Sequence, residues 1–163
     1  MKKWIFIALA ALLVIVGCTK KETAPKPVKN EAIYFAEENE GILVSYVLSG
    51  TDDVLEKIET VTYVDLAVFD DDEKEAFISA AKDTEDIMSD IEGVKYEYSV
   101  RDEETVLYEN VVFDIKDKDA IKSFEDNNML LLEKDSFDTI SFSKTAKELE
   151  TYGMEEVQEV QTL

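Results

Sequence analysis

Histidine is absent from this 163-residue sequence, and cysteine occurs once, as Cys18. Without histidine the chain lacks the commonest general base and metal ligand, and the Ser-His and Cys-His schemes of nucleophilic catalysis are unavailable. Glycine is also scarce, and Gly41, Gly50, Gly93 and Gly153 each stand alone, so there is no glycine-rich phosphate loop. We therefore expect that the chain is not an enzyme and holds no cofactor.

Basic residues are few: the sequence has 17 lysines and arginines and 38 acidic residues, which gives a formal net charge of −21. Binding to nucleic acid depends on the neutralisation of phosphates by lysine and arginine, so we exclude nucleic acid as a partner. The acidity either keeps an exported domain soluble or favours cations, cationic peptides or basic wall components.

The amino terminus has the pattern of a bacterial export signal. Two lysines precede an uninterrupted apolar stretch of 13 residues, 4–16, and Gly17 is the small residue that a peptidase requires before its cleavage point. A transmembrane helix needs about 20 apolar residues, so this stretch is too short for one. Residues 15–18, Ile-Val-Gly-Cys, resemble the lipobox of bacterial lipoproteins, which implies that Cys18 takes a diacylglycerol and becomes the first residue after cleavage.

Charge and proline divide the rest of the chain. Residues 19–30 carry both prolines and four lysines against one glutamate, a net charge of +3, which is typical of an extended tether beside anionic lipid. Residues 31–163 carry 11 basic and 37 acidic residues, a net charge of −26, and are long enough for one domain. We predict a cleaved signal peptide over 1–17, a lipidated cysteine and tether over 18–30, and an acidic domain over 31–163 on the extracytoplasmic face of the cell membrane.

Five stretches of the acidic domain are rich in apolar, β-branched and aromatic residues, several with a period of two, and they predict five strands. The first three are separated by turns too short for crossovers, so we expect an antiparallel meander, with residues 37–41 and 49–53 as its turns. The last two form a hairpin. The strands are predicted over residues 32–35, 42–48, 54–68, 94–100 and 105–115.

The period changes at residues 70–73, where four acidic residues favour the first turn of a helix. The apolar spacing that follows predicts a long helix over 71–90 that stops at Gly93. Shorter helices are predicted over 117–127 and from Ser143, as N-cap, through Tyr152, with Gly153 as the stop. The sequence therefore predicts an α+β domain in which the long helix packs on one face of an antiparallel sheet.

Two acidic clusters fall at predicted strand-to-helix loops and are candidate sites for a hard cation. Calcium takes about six to eight oxygens, and its EF-hand loop requires a glycine at the sixth place, which neither cluster has. Without a cation, the acidic residues of the first cluster would interact favourably with the dipole at the N-terminus of a helix. Those of the second cluster would belong to a solvated loop. The clusters are Asp70, Asp71 and Asp72, followed by Glu73, and Asp114, Asp117 and Asp119.

Six tyrosines fall on predicted strands, where packing in the core or on the sheet explains most of them. Val94, Tyr96 and Tyr98 share one face of their strand. If the sheet is open there, they predict a binding face for an apolar or sugar-like ligand.

Several features together resemble the YehR-like family of small bacterial lipoproteins of uncharacterised function. The resemblance rests on the lipobox at Cys18, the hairpin over 41–64, the helix after Asp71 that ends in Ile-Glu-Gly-Val-Lys-Tyr, and the strand over 104–114. It spans most of residues 31–150. It implies a fold and a lipoprotein location, and it brings no catalytic residue.

The hypothesis that these features favour is a membrane-anchored extracytoplasmic lipoprotein that binds an envelope protein, a wall component or a small ligand. The alternative is a cation-binding envelope protein that uses the two acidic clusters. A hydrolase built on a pair of carboxylates is the third hypothesis. The first predicts an exposed aromatic sheet face, the second converging carboxylates, and the third a cleft that holds carboxylates of raised pKa.

Overall fold

The computed structural model describes residues 26–39, 41–101, 105–116, 121–122 and 139–163. The predicted signal peptide, Cys18 and most of the tether lie outside the described residues, as do Asp117 and Asp119. The described part is an α+β domain with one six-stranded antiparallel sheet and two α-helices. The predicted fold class is therefore confirmed.

The sheet has the strand order β4-β5-β3-β2-β1-β6, and every neighbouring pair is antiparallel. The predicted meander is β1-β2-β3, and the predicted hairpin is β4-β5. The sixth strand was not predicted, because three residues are too few for a period of two to be recognised. The strands are β1 (Lys29–Asn39), β2 (Ile42–Thr51), β3 (Val54–Asp65), β4 (Val94–Arg101), β5 (Val106–Asp114) and β6 (Glu155–Val157).

The turn between β2 and β3 is tighter than predicted. Residues 49–51 belong to β2, and only Asp52 and Asp53 form the turn, with φ angles of 52° and 66°. Two successive residues with positive φ make a type I′ turn, which aspartate tolerates better than most residues. At Gly50 an added Cβ would lie 2.1 Å from the carbonyl oxygen of Val54, so no side chain fits there.

The first helix, α1 (Asp71–Met88), begins with a capping box. The Asp70 carboxylate accepts a hydrogen bond from the Glu73 amide (2.9 Å), and the Glu73 carboxylate accepts one from the Asp70 amide (3.1 Å). The predicted helix is confirmed, but it ends two residues earlier, with Ser89 as its C-cap. The prediction of Gly93 as the helix stop was wrong, because its φ of +79° serves the turn that enters β4.

The second helix, α2 (Phe142–Thr151), begins at Ser141 as N-cap, so the prediction of Ser143 was wrong by two residues. Its end agrees with the prediction at Gly153, whose φ is +88°. The amide of Gly153 donates to the Glu150 carbonyl and that of Met154 to the Leu149 carbonyl, which is a Schellman motif. Of the predicted helix over 117–127, residues 121–122 are described, and they are helical. Neither helix of the described part is long and apolar enough to span a membrane.

Both helices pack on the same side of the sheet, which we call the helix-bearing face. α1 lies over β4 and β5, and α2 lies over β1 and β2. One buried cluster joins Tyr34 and Leu48 of the sheet to α2, and a second joins Val64 and Leu107 to Ala81 of α1. No helix of the described part packs on the opposite side, which we call the helix-free face.

Candidate functional site

The register places Val94, Tyr96 and Tyr98 on the helix-bearing face, beneath α1. Val94 packs against the first buried cluster and Tyr98 against the second. The expectation that the three side chains share one face is met, but that face carries a helix and is not an open sheet surface. Ligand binding by these residues stays a prediction.

Tyr96 lies between the two clusters, and its hydroxyl donates a hydrogen bond to the Glu109 carboxylate on β5. Burial raises the pKa of Tyr96, and the hydrogen bond and charge of Glu109 raise it further, so the hydroxyl stays protonated far above neutral pH. The pair is a protonated phenol held against a carboxylate within the packed face. Its geometry serves to hold β4 and β5 together.

The candidate cation ligands do not converge within the described part. Asp70 caps α1, and Asp71 is fully exposed at 3.3 Å from the Lys74 ammonium. Asp114 accepts a hydrogen bond from the Lys116 amide, at the opposite end of the sheet. Asp114 pairs with Lys57 at the start of β3, whereas the first cluster follows Asp65 at the other end of that strand, eight residues or roughly 26 Å along it. No three acidic side chains of the described residues form a metal-binding group, and Asp117 and Asp119 lie outside them.

The helix-free face is covered in part by the end of the chain. After β6, the Gln161 amide lies 3.4 Å from the hydroxyl of Ser45, which is fully buried on β2. Phe35 and Val61 flank Ser45 on the neighbouring strands. The carboxyl-terminal segment therefore lies over the β1–β2 half of this face.

The other half of the helix-free face carries two tyrosines in contact. Tyr63 on β3 and Tyr108 on β5 are cross-strand partners, with ring centroids 5.3 Å apart and an interplanar angle of 57°. The guanidinium of Arg101, the single arginine of the sequence, lies 3.7 Å from the Tyr108 ring centroid, and its Nε donates to the Ser99 hydroxyl (2.8 Å). The pKa of Tyr108 is raised by burial first and then by the charge of Glu97.

Asn110 adjoins this tyrosine pair along β5. Its Nδ2 donates to the Glu59 carboxylate across the strand interface (3.3 Å), and the other oxygen of Glu59 binds the Lys57 ammonium (2.9 Å). The Oδ1 atom of Asn110 is buried and has no hydrogen-bond donor among the described residues. An exchange of the two amide atoms does not relieve this, because it would turn the oxygen toward a carboxylate. This oxygen is closed to solvent, so the arrangement leaves one buried acceptor unsatisfied within the described part of the sheet.

We call this surface the aromatic patch. Its residues lie on the helix-free face, where Glu97 and Arg101 are exposed and the others are half-buried, and they include hydrogen-bond donors, hydrogen-bond acceptors and aromatic rings. It consists of Glu59, Tyr63, Glu97, Arg101, Tyr108 and Asn110. Local sequence patterns do not reveal this site, because only the register of β3, β5 and β4 brings residues 59–63 beside residues 97–110.

No protein-family model matches this sequence, and no curated protein matches it. Two solved structures are similar in fold. The NMR structure of a protein from Streptococcus pneumoniae TIGR4 is 15% identical, with a TM-score of 0.53 over 90% of this chain and 94% of that chain. The NMR structure of the Escherichia coli YehR protein is 21% identical, with a TM-score of 0.54 over 80% of this chain and 93% of that one. The chain therefore has a YehR-like fold, which confirms the resemblance at the level of fold.

Proposed function

We propose that this chain is a membrane-anchored extracytoplasmic lipoprotein whose α+β domain recognises a partner and does not turn over a substrate. The observation that carries the proposal is the aromatic patch, where Tyr63 and Tyr108 are in contact on a sheet face that no described helix covers. Tyrosines that lie partly exposed on a sheet face combine apolar area with a polar hydroxyl group, which is typical of recognition surfaces.

The anchor is supported by the sequence around Cys18. The pattern of two lysines, an apolar stretch and Ile-Val-Gly-Cys is that of a lipoprotein signal. The first strand begins at Lys29, which leaves about ten residues of proline-bearing chain between the lipid and the fold. A domain of net charge −26 is repelled by anionic lipid, so the tether holds it away from the bilayer.

The other two hypotheses have less support from the geometry. In the cation hypothesis the first cluster must give up its cap, because Asp70 is already bound to the first turn of α1. In the hydrolase hypothesis two carboxylates must share a cleft, whereas Glu109 is engaged by a tyrosine hydroxyl and Glu59 by a lysine. Both stay as alternatives to recognition.

Metabolic labelling with palmitate tests the anchor. The full chain should incorporate label and fractionate with membranes, and Cys18→Ser should lose the label and accumulate as an uncleaved precursor. Exposure of intact cells or spheroplasts to protease tests which side of the membrane the domain occupies. Label retained by Cys18→Ser contradicts lipidation at this residue.

In-cell photo-crosslinking tests recognition. A photoreactive amino acid at Ser99, beside Tyr108 on the helix-free face, should give adducts with a partner protein or with wall material. The same amino acid at Asp83, which is exposed on α1, is the matched control. Equal labelling at the two positions, or none at either, contradicts a recognition role for this face.

A further inference from the structure

We propose that the end of the domain at which β1 begins is its lipid-facing surface, and that lysine side chains there bind anionic lipid headgroups. We call this surface the tether end. It consists of residues 26–29, 52–54, 114–116, 121–122 and 139–144. The inference rests on the proposed function, since it names the surface that the anchored domain turns toward the membrane.

Hydrogen bonds join the tether end into one surface. The Asp52 amide donates to the Val28 carbonyl (2.9 Å), and the Val28 amide donates to the Asp52 carboxylate (2.8 Å), so the first described residues lie against the β2–β3 turn. The Leu55 amide donates to the Ile140 carbonyl (2.8 Å), which places the start of α2 beside the same turn. Residues 114–116 follow at the end of β5, next to the start of β3.

The path of the chain brings this end closest to the bilayer. Ten residues, 19–28, lie between Cys18 and the start of β1. An extended chain of this composition spans about 3.1 Å per residue, so the tether reaches roughly 30 Å. The opposite end of the sheet, at Asp65, is eleven residues of β3 from Val54, which is roughly 36 Å. Contact through that opposite end would take up the whole tether, whereas the tether end can meet the lipid with the tether slack.

Four exposed lysines of the tether end have no carboxylate within ion-pair distance among the described residues. Lys122 follows Ile121, which is buried in the first cluster, and Lys144 lies in the first turn of α2. Such ammonium groups can bind headgroup phosphates without giving up an internal ion pair. The four are Lys26, Lys29, Lys122 and Lys144.

The acidic residues of the tether end are bound within the fold. Three aspartates lie there, and each accepts a hydrogen bond from a backbone amide of the same surface. With Lys116, which binds Glu56 (3.2 Å), this end has five lysines against three aspartates. Asp90 and Glu92 are exposed after α1, so the basic surface is confined to the α2 side of the sheet. The three aspartates are Asp52, Asp53 and Asp114.

The opposite end of the sheet has the contrary charge, with seven acidic residues against one lysine and one arginine. Anionic lipid repels that end, but a contact at the tether end lies roughly 36 Å away, which is several Debye lengths at physiological salt. The net charge of the domain therefore keeps its other surfaces off the bilayer, and the tether end is the one that approaches it. The residues of the opposite end are Glu37, Glu38, Asp65, Asp70, Asp71, Asp72 and Glu73, with Lys74 and Arg101.

Two exposed apolar side chains lie among these lysines. Val28 is 60% exposed and Val54 is 38% exposed, and both adjoin the β2–β3 turn. Binding to a lipid surface combines buried apolar area with attraction to anionic lipid, so exposed valines beside unpaired lysines suit the headgroup region. Neither a soluble cation nor a soluble protein of acidic charge explains the tether emerging at the same place.

The test uses the lipidated protein, purified from membranes and placed in nanodiscs that carry a nitroxide on a fraction of the lipid headgroups. Lipidation consumes the single cysteine, so one introduced cysteine takes a fluorophore without interference. The matched sites are Val54→Cys and Val68→Cys, which are 38% and 50% exposed at the start of β3 and beyond its end.

We expect the nitroxide to quench the label at Val54→Cys when the nanodiscs contain anionic lipid, and to leave the label at Val68→Cys unquenched. The quenching should fall in nanodiscs of zwitterionic lipid alone and in about 1 M salt, where the Debye length is about 3 Å. Equal quenching at the two sites, or quenching at Val54→Cys that does not depend on anionic lipid, overturns the inference.

Lysine variants assign the contact to the tether end. Lys122→Gln and Lys144→Gln should each lower the ratio of lipid-bound to free domain by about fivefold, which corresponds to about 1 kcal/mol per lysine near an anionic surface. Lys82→Gln removes an exposed lysine of α1 and should leave the ratio unchanged. Equal effects of the three variants overturn the assignment. A response of the label at Val54→Cys to soluble polyphosphate but not to anionic nanodiscs would assign the lysines to a polyanion and refute lipid.

The outcomes separate this inference from the proposed function. Mass spectrometry of the purified protein establishes the lipid first, and a product without lipid refutes the anchor and the lipid-facing surface together. A lipidated product whose label at Val54→Cys is not quenched refutes the lipid-facing surface alone and leaves anchoring and recognition in place. Quenching that Lys122→Gln and Lys144→Gln reduce supports both the anchor and the lipid-facing surface.

Discussion

Asp53 should stabilise the domain by joining the β2–β3 turn to the start of α2. Its carboxylate accepts hydrogen bonds from the Ser143 amide (2.8 Å) and the Ser141 hydroxyl (2.9 Å), and its carbonyl accepts one from the Phe142 amide (2.8 Å). Asp52, its neighbour in the turn, shares the positive φ, but within the described residues its side chain binds the Val28 amide alone (2.8 Å). The two residues therefore form a matched pair for substitution by glycine.

The magnitude follows from the contacts. Loss of a helix cap costs about 0.5–2 kcal/mol, and the favourable charge at the helix N-terminus contributes about 0.3–1 kcal/mol at exposed sites. Asp53 is exposed, so the lower half of each range applies. Glycine adopts positive φ without strain, so the substitution regains roughly a few tenths of a kcal/mol of stability. We expect Asp53→Gly to cost about 1 kcal/mol, or about 3–5 °C in melting temperature, and Asp52→Gly to cost nearly nothing.

The pH dependence gives a second, independent measure. The hydrogen bond from the Ser143 amide is the main cause that lowers the pKa of Asp53, and the Ser143 and Ser141 hydroxyls and the Lys144 charge lower it further. The folded state thus keeps this group ionised at a pH where the unfolded chain, with a pKa of about 3.9, binds a proton. Its contribution is complete above about pH 5 and is lost as the pH falls through the folded-state pKa.

Urea unfolding followed by circular dichroism, at pH values from about 7 to 3, measures both effects. The difference in free energy of unfolding between the unsubstituted chain and Asp53→Gly should be constant at the upper pH values and become smaller in acid. Asp53→Asn keeps an oxygen acceptor without the charge, so it should lie between them. Equal losses for the Asp52 and Asp53 variants, or a difference that does not change with pH, would refute the reasoning.

Three further expectations follow from other parts of the fold. Because the pKa of Tyr96 is raised in the folded state, its contribution to stability is complete below about pH 10 and is lost as the pH rises toward that folded-state pKa. In urea unfolding, Tyr96→Phe should therefore lose less stability than the unsubstituted chain as the pH rises above about 10. An equal loss of stability at alkaline pH in the two proteins contradicts this. Gly50→Ala should cost more than about 3 kcal/mol of stability because its Cβ meets backbone at 2.1 Å. Gly153→Ala, with no described atom within 4 Å, should cost about 1 kcal/mol from its φ alone, and similar melting temperatures for the two variants would contradict the difference. Calcium should leave the melting temperature of the full chain unchanged in about 150 mM salt, since a site filled at 100 times its dissociation constant would add about 2.7 kcal/mol; a saturable rise that Asp70→Asn removes would favour the cation hypothesis.

Local patterns were enough to predict most of the fold. The period of two identified the hairpin, and acidic residues ahead of an apolar stripe identified α1. β1 was predicted too short because Glu37 and Glu38 resemble a turn, whereas pairing with β2 extends the strand through them. The N-cap of α2 was misplaced because two serines are equally suitable locally, and the choice depends on Asp53, about 90 residues away.

The candidate site depended on information that local patterns do not contain. A period of two places Tyr96 and Tyr98 on one face of β4, but it does not say on which face α1 will pack. Tyr63 and Tyr108 were recognised as strand residues, and their contact required the register between β3 and β5. The unpaired oxygen of Asn110 is a property of three-dimensional packing and has no counterpart in the sequence.

In the anchored protein that we propose, any pull between membrane and partner enters the fold through β1. That strand lies between β2 and β6 and makes ten register pairs with β2. Where tension runs along the axis of β1, it loads these pairs together and not one after another. The aromatic patch lies beyond β2, on β3, β5 and β4, so mechanical load crosses the sheet from strand to strand before it reaches the ligand. The lifetime of the attachment under force would then depend on the rate at which β1 separates from its neighbours.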